Sequence, residues 1–259
     1  MLGQRAALAV LAWALCASAP QPEHSWPMTP DFRGDFALVY TEHLANATCP
    51  TCMRMTPTER KLWFSSLLTA TRYLEWGTGG STVLAAWRAM QTDPRLPPLT
   101  VHSIDSSEKW MRELRRKYPI VALAEAEGKL AMRLGDIGPT GMWGNPTNFS
   151  QRPKEERVEQ ARRYTNAFGD QGVYDLILID GRFREACAMY ALKLARRNTL
   201  MLMHDYLASE EGGRRSYKRT VERYYHTLEY QHSLGLFRPK PRAAFNQSEY
   251  EKLLEDPSR

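Results

Sequence analysis

"YLEWGTGGST", Tyr73 to Thr82, is the stretch whose reading decides the fold. A short apolar run meets a glycine-rich turn, with one carboxylate, Glu75, just before the first glycine. A phosphate loop would end in Gly-Lys-Ser/Thr, and no lysine follows the glycines here. A dinucleotide-binding turn needs G-x-G-x-x-G. Gly77 and Gly79 satisfy it, but the third position is Thr82, so the glycine that lets a helix pack tightly on its strand is missing. A carboxylate at Glu75 would also repel a pyrophosphate. The same carboxylate suits a cationic ligand, which the glycines allow the backbone to approach closely.

Outward from the turn, the chain alternates between strand and helix. Before it, Thr56-Pro57-Thr58-Glu59 is a capping box with proline at the first helical position. It predicts a helix to about Ala70, with Leu62, Trp63 and Leu67 facing the core. "TRYLEW", "LTVHSID", "KLAMRLGD", "YDLILID" and "TLMLMHD" read as strands. "STVLAAWRAM", "SSEKWMRELRRKY" (capped by Ser106 or Ser107), "EACAMYALKLAR" and "RSYKRTVERYYHTL" read as helices. Continuous apolar strands separated by helices imply an α/β, doubly wound, mostly parallel sheet with helices on both faces. Right-handed crossovers then bring the strand-end residues Glu75, Asp105, Asp136, Asp180 and His204-Asp205 to one edge, where ligands bind. Residues 137–170 interrupt the alternation with a loop, "DIGPTGMWGNP", and a helix, "KEERVEQARRYTNAF". This insertion starts at the active edge and is expected to be a lid or acceptor-site loop.

Composition sets the bounds. The 259 residues are 43% hydrophobic and 25% charged, which suits one globular domain with some decoration. A net charge of +6, spread along the chain, reads as a solvated basic surface, and no motif supports nucleic acid. Residues 1–19 carry Arg5, an apolar run from Ala6 to Leu15 and then small residues, the pattern of a secretory signal peptide or, if uncleaved, a membrane anchor. Residues 20–55 are read as a linker and N-terminal extension, 56–245 as the main domain and 246–259 as a tail. Asn46, Asn148 and Asn246 begin glycosylation sequons. In an oxidising lumen, Cys49 and Cys52 are expected to form a small local disulfide, and Cys187 to be a buried thiol.

S-adenosylmethionine fits a cationic site of this kind, since it carries an ammonium and a sulfonium and no phosphate. The next strand ends at Asp105, where an acidic side chain accepts bonds from ribose hydroxyls. With these residues in view, the chain resembles the class I S-adenosylmethionine-dependent methyltransferases over about Trp63 to Leu228. "LEWGTGGST" is similar to that family's first motif, "VHSID" to its second, "LGDIG" to its adenine-contacting segment and "YDLILIDG" to its fourth. The resemblance implies a cofactor held by Glu75, Gly77, Thr78, Gly79, Ser81, Asp105, Asp136 and Asp180.

On the acceptor side the candidate catalytic residues are Asp180, His204 and Asp205. Some resemblance to sugar and catechol-type O-methyltransferases implies a magnesium ion on Asp180 and Asp205. His204 departs from that pattern, because imidazole is a poor magnesium ligand, and could instead be a general base. Arg182 and Arg184 could bind an anionic acceptor or the cofactor carboxylate, or pair with the strand-end acids. Trp143 could stack on an acceptor or anchor its loop. The expected activity is O-methylation of a sugar or other small hydroxylated acceptor in the secretory pathway. The alternatives are a non-catalytic Rossmann-like binding protein and an aminopropyltransferase-like relative. The expected partner is a small-molecule or glycan acceptor, with a membrane involved only if the signal sequence is retained.

Overall fold

Seven segments pair as strands: β1 (Arg72–Trp76), β2 (Thr100–Asp105), β3 (Leu130–Leu134), β4 (Tyr174–Ile179), β5 (Ala195–Met203), β6 (Tyr225–Gln231) and β7 (Leu234–Pro239). The computed structural model describes residues 53–206 and 216–255. The readings of residues 1–19, Asn46, Cys49 and Cys52 lie outside these residues. The sheet order is β3-β2-β1-β4-β5-β7-β6. β1 to β5 run parallel, and β7 inserts antiparallel between β5 and β6. This separates the sheet from the dinucleotide-binding order 3-2-1-4-5-6.

Among the described residues eight α-helices cover the sheet: α1 (Pro57–Leu68), α2 (Gly80–Ala89), α3 (Glu108–Lys117), α4 (Pro119–Ala126), α5 (Lys154–Thr165), α6 (Arg184–Ala191), α7 (Ser216–Tyr224) and α8 (Gln247–Leu253). The capping box at the start of α1 forms as its sequence dictates, and Leu62, Trp63 and Leu67 are buried. Leu74, Trp76, Ile177, Ile179, Met201 and Met203 share one core with residues from α5 to α8. On β1 the intervening positions are Tyr73 and Glu75. Tyr73 hydroxyl accepts from the Trp63 indole at 3.1 Å and donates to Glu75 at 2.8 Å, linking α1 to the strand.

Four sequence expectations are corrected. The stretch read as one helix from Arg215 to Leu228 ends at Tyr224, and Tyr225–Gln231 is the sheet's edge strand. Tyr, His and Thr favour a pleated, half-buried surface once a partner strand is available, and β7 supplies it. The helix read to Arg196 stops at Ala191, because Ala195 already pairs with Tyr174 at the start of β5. The C-terminal stretch holds α8, whose Tyr250, Leu253 and neighbouring Leu254 are buried in the core. Finally, α5 is no insertion. It is the crossover between β3 and β4, packed through Ala161, Tyr164 and Thr165.

Only residues 137–153 are extra, and they are braced. Arg152 donates to Ile137 oxygen, to Gln160 Oε1 and to Thr147 oxygen at 2.6–2.7 Å, and a bridge pairs Thr140 with Pro146. Tyr164 locks α5 against the sheet edge. A Cβ on Gly135 would lie 2.6 Å from its Cα, so glycine alone permits this approach. Among the described residues no helix is long and apolar enough to cross a membrane.

Candidate active site

The glycine turn is held by hydrogen bonds from both neighbouring strands. Gly77 donates to Ile104 oxygen at 2.8 Å and Asp180 donates to Trp76 oxygen at 2.9 Å. Gly77 has φ +100, and a Cβ there would lie 2.8 Å from the Asp180 carbonyl carbon. The turn and the end of β4 therefore touch through main chain alone. Around Gly79, in contrast, an added Cβ meets nothing within 4 Å. The backbone there faces open space, which is what a ligand cradle requires.

Glu75 lies beneath this turn, fully buried. Its carboxylate accepts from Thr82 Oγ1 at 2.5 Å, Ser103 Oγ at 2.7 Å and Tyr73 hydroxyl at 2.8 Å. Burial raises its pKa, while the hydroxyls of Thr82, Ser103, Ser81 and Tyr73 pull the other way. Direct contact with a ligand ammonium is thus not what this side chain offers. Its acceptors are taken by protein hydroxyls, and it acts as a strut of the turn. Ser81, buried beside it, serves the same cluster. Thr82 occupies the place of the missing third glycine. Its hydroxyl also accepts from Gly79 amide at 2.8 Å.

Asp105, at the end of β2, accepts from the amide and hydroxyl of Thr78 at 3.0 and 2.8 Å and from Ser107 amide at 2.8 Å. Burial raises its pKa against these bonds. Asp136 reaches the same edge but is exposed, and one of its oxygens accepts from Gly138 amide at 2.8 Å. Trp110 stands over the turn, its indole donating to Thr78 oxygen at 2.9 Å. Nothing in the sequence reading pointed to Trp110. Its place off the buried Met111 and Leu114 stripe of the helix was the only available signal.

Asp180, His204 and Asp205 come together, with one donor atom from each within 4.8 Å of the others. His204 Nδ1 lies 3.0 Å from Asp180 Oδ1 and 3.8 Å from Asp205 Oδ1. Its other nitrogen faces Glu59 Oε1 at 3.8 Å. Burial lowers the imidazole pKa, but Asp180 and Asp205 outweigh it and the net shift is upward. His204 is therefore a buried imidazole whose pKa its acid neighbours hold above the ordinary value. Asp180 is shifted below the usual carboxylate range, its burial outweighed by the hydrogen bond and charge of His204 and by Arg184.

Arg184 is only 4% exposed. It donates to Gly181 oxygen and to His204 oxygen, and pairs with Asp180 at 3.3 Å and Asp205 at 3.1 Å. It is the partner of the strand-end acids. The same geometry tests a magnesium site on Asp180 and Asp205. A fixed guanidinium already bridges the two carboxylates, and the third donor is an imidazole where magnesium prefers oxygen. The donor set does not suit the ion.

Arg182 differs from Arg184. Its side chain reaches Asn145 Oδ1 at 2.6 Å, and its amide donates to Tyr164 hydroxyl at 3.2 Å. Asn145 belongs to the loop whose tip carries Met142 and Trp143. Trp143 is 62% exposed, with Arg54 over its ring at 4.2 Å, and its φ is +61. The indole does not anchor the loop in the core. Cys187 is a fully buried thiol, as expected.

Glu59 was legible only as a capping residue. It also accepts from the amide and hydroxyl of Ser233 at 2.9 and 2.7 Å. That contact joins residues 174 positions apart, and no local pattern signals it.

No protein-family model and no curated protein matches this sequence. Solved structures do. A methyltransferase-like protein (spo2022) from Silicibacter pomeroyi is 25% identical, with a TM-score of 0.61 over 80% of this chain and 98% of that one. The fold is that of the class I S-adenosylmethionine-dependent methyltransferases. The O-methyltransferase TomG from Streptomyces achromogenes, solved with S-adenosylmethionine, matches at 16% identity and a TM-score of 0.47 over 80% of this chain and 91% of that one. The open space before Gly79 and the strand-end acid Asp105 lie at the carboxyl edge of this fold's sheet, where ligands bind.

Proposed function

We propose that this protein transfers a methyl group from S-adenosylmethionine to a hydroxyl of a sugar or other small acceptor. The observation that carries the reading is the main-chain contact between Gly77 and Asp180, which sets an acid directly beside the cofactor turn. When bound, the cofactor supplies a methyl group on a sulfonium. Its transfer to the acceptor oxygen would leave the carbon–sulfur electron pair on sulfur and would require the hydroxyl proton to be taken up.

Asp180 is suited to hold that hydroxyl. One of its oxygens is taken by His204 and Arg184, and the other makes no hydrogen bond among the described residues. The free oxygen accepts from the acceptor O–H, orients the attacking lone pair and receives the proton as the oxygen becomes acidic in the transition state. His204 and Arg184 are positioning residues that keep the carboxylate ionised.

We place the activity in the secretory pathway. The N-terminal pattern and the exposed sequon residues Asn148 and Asn246 support this. Isothermal titration with S-adenosylhomocysteine tests the cofactor site, and absence of binding at millimolar ligand rejects the enzyme reading. With labelled cofactor, Asp180→Asn should still bind it but transfer no methyl. An endoglycosidase-sensitive mobility shift of the expressed chain tests the location.

A further inference from the structure

We propose that Arg182 receives an acidic group carried by the acceptor, so that the substrates are hydroxylated acids rather than neutral polyols. This rests on the methyltransferase reading and narrows its substrate class.

The buried acids at this end of the sheet are answered by the protein. Asp180 and Asp205 are balanced by Arg184 and His204. Glu75 is surrounded by hydroxyls, and Asp105 by Thr78 and Ser107. Arg182 is half-buried and always cationic, yet it has no carboxylate within ion-pair reach among the described residues. Its sole side-chain hydrogen bond goes to a neutral amide, Asn145 Oδ1, and its Nε is buried without an acceptor. Burial and the neighbouring Arg184 work against the charge it carries and outweigh the support of Tyr164, Tyr217 and Asp180, which is not in ion-pair contact with it. A half-buried cation with no carboxylate in ion-pair contact is costly, and an incoming anion relieves that cost. The guanidinium's planar fork matches a carboxylate.

Position assigns the anion to the acceptor. Arg182 lies two residues beyond Asp180, and its bond to Asn145 ties it to the loop that projects Met142 and Trp143 over the strand ends. An acceptor hydroxyl on Asp180 and an acidic group on Arg182 would orient one small molecule at two points. The cofactor's own carboxylate is the other source of the same chemistry, and the experiment separates the two.

The full chain is first titrated with S-adenosylhomocysteine and with 5′-methylthioadenosine, which lacks the amino-acid tail. Loss of both in the wild type defeats the methyltransferase reading itself. The protein saturated with S-adenosylhomocysteine is then probed by saturation-transfer NMR. The probes are matched pairs, D-glucuronate against D-glucose and 3,4-dihydroxybenzoate against catechol. The acidic member of at least one pair should bind about tenfold more tightly, as a charge-assisted hydrogen bond provides. Arg182→Gln should erase the preference and leave S-adenosylhomocysteine affinity intact, whereas Arg182→Lys should retain part of it. Thermal melting confirms that the variants fold, and Arg182→Lys serves alone if Arg182→Gln does not. No acidic preference, or one that survives Arg182→Gln, overturns the proposal. So does a drop in S-adenosylhomocysteine affinity with 5′-methylthioadenosine unaffected, which puts the anion on the cofactor.

Discussion

Thr82 ties Glu75 to the amide of Gly79: its hydroxyl donates to the carboxylate at 2.5 Å and accepts from the amide at 2.8 Å. The residue that breaks the dinucleotide fingerprint is thus the one that holds this turn in shape. Thr82→Val keeps the volume and removes both bonds, leaving buried groups without partners. Stability should fall by about 1–3 kcal/mol in urea denaturation, with weaker S-adenosylhomocysteine binding. Thr82→Ser should behave nearly as wild type. A valine variant of unchanged stability would show that the turn does not depend on this link.

Asp105 joins the first turn to the second through Thr78 and Ser107. Asp105→Ala should weaken S-adenosylhomocysteine by about 1.5–3 kcal/mol, the range for a lost charge-assisted bond. Calorimetry reads this directly, and equal affinity would move the ribose elsewhere.

Gly77 and Gly79 should separate sharply. Gly77→Ala forces a methyl onto the Asp180 backbone at a φ of +100, so the melting temperature should drop along with cofactor binding. Gly79→Ala meets no protein atom within 4 Å, so it should fold normally and lose affinity alone. If both variants lose stability equally, the space in front of Gly79 is not a ligand's.

His102 gives a pH dependence outside the active site. It stacks on Phe168 at 4.3 Å and faces Tyr174 hydroxyl at 2.6 Å. Burial, with Arg72 and Arg133 nearby, pulls its pKa down to about 4 from 6.5. The folded state therefore prefers the neutral ring. This contribution is fully present above pH 6.5 and is lost as pH falls toward 4. For a partly buried ring the loss is roughly 2–3 kcal/mol. Chemical denaturation across this range should show the slope, and His102→Gln should flatten it.

Much of this was legible because strand ends are local. Glu75, Asp105, Asp136, Asp180 and His204-Asp205 each close an apolar run, and a parallel sheet leaves them one edge to share. What those side chains do there was less legible. Glu75 looked like a ligand contact because nothing local says that Ser103 and Tyr73 would surround it. The surroundings of His204 were not legible because its two acids and Glu59 meet it only in the folded chain. The β6–β7 hairpin was hidden by "RRSYKRTVERYYHTL", whose helical spacing continues past the point where pairing takes over.

The bracing of residues 137–153 by Arg152 has an evolutionary consequence. The base of that loop is fastened to Ile137, Thr147 and α5, while Met142 and Trp143 at its tip contribute little to the core. Substitutions at the tip can accumulate without endangering the fold. The tip can therefore diverge in sequence under selection that stability does not oppose.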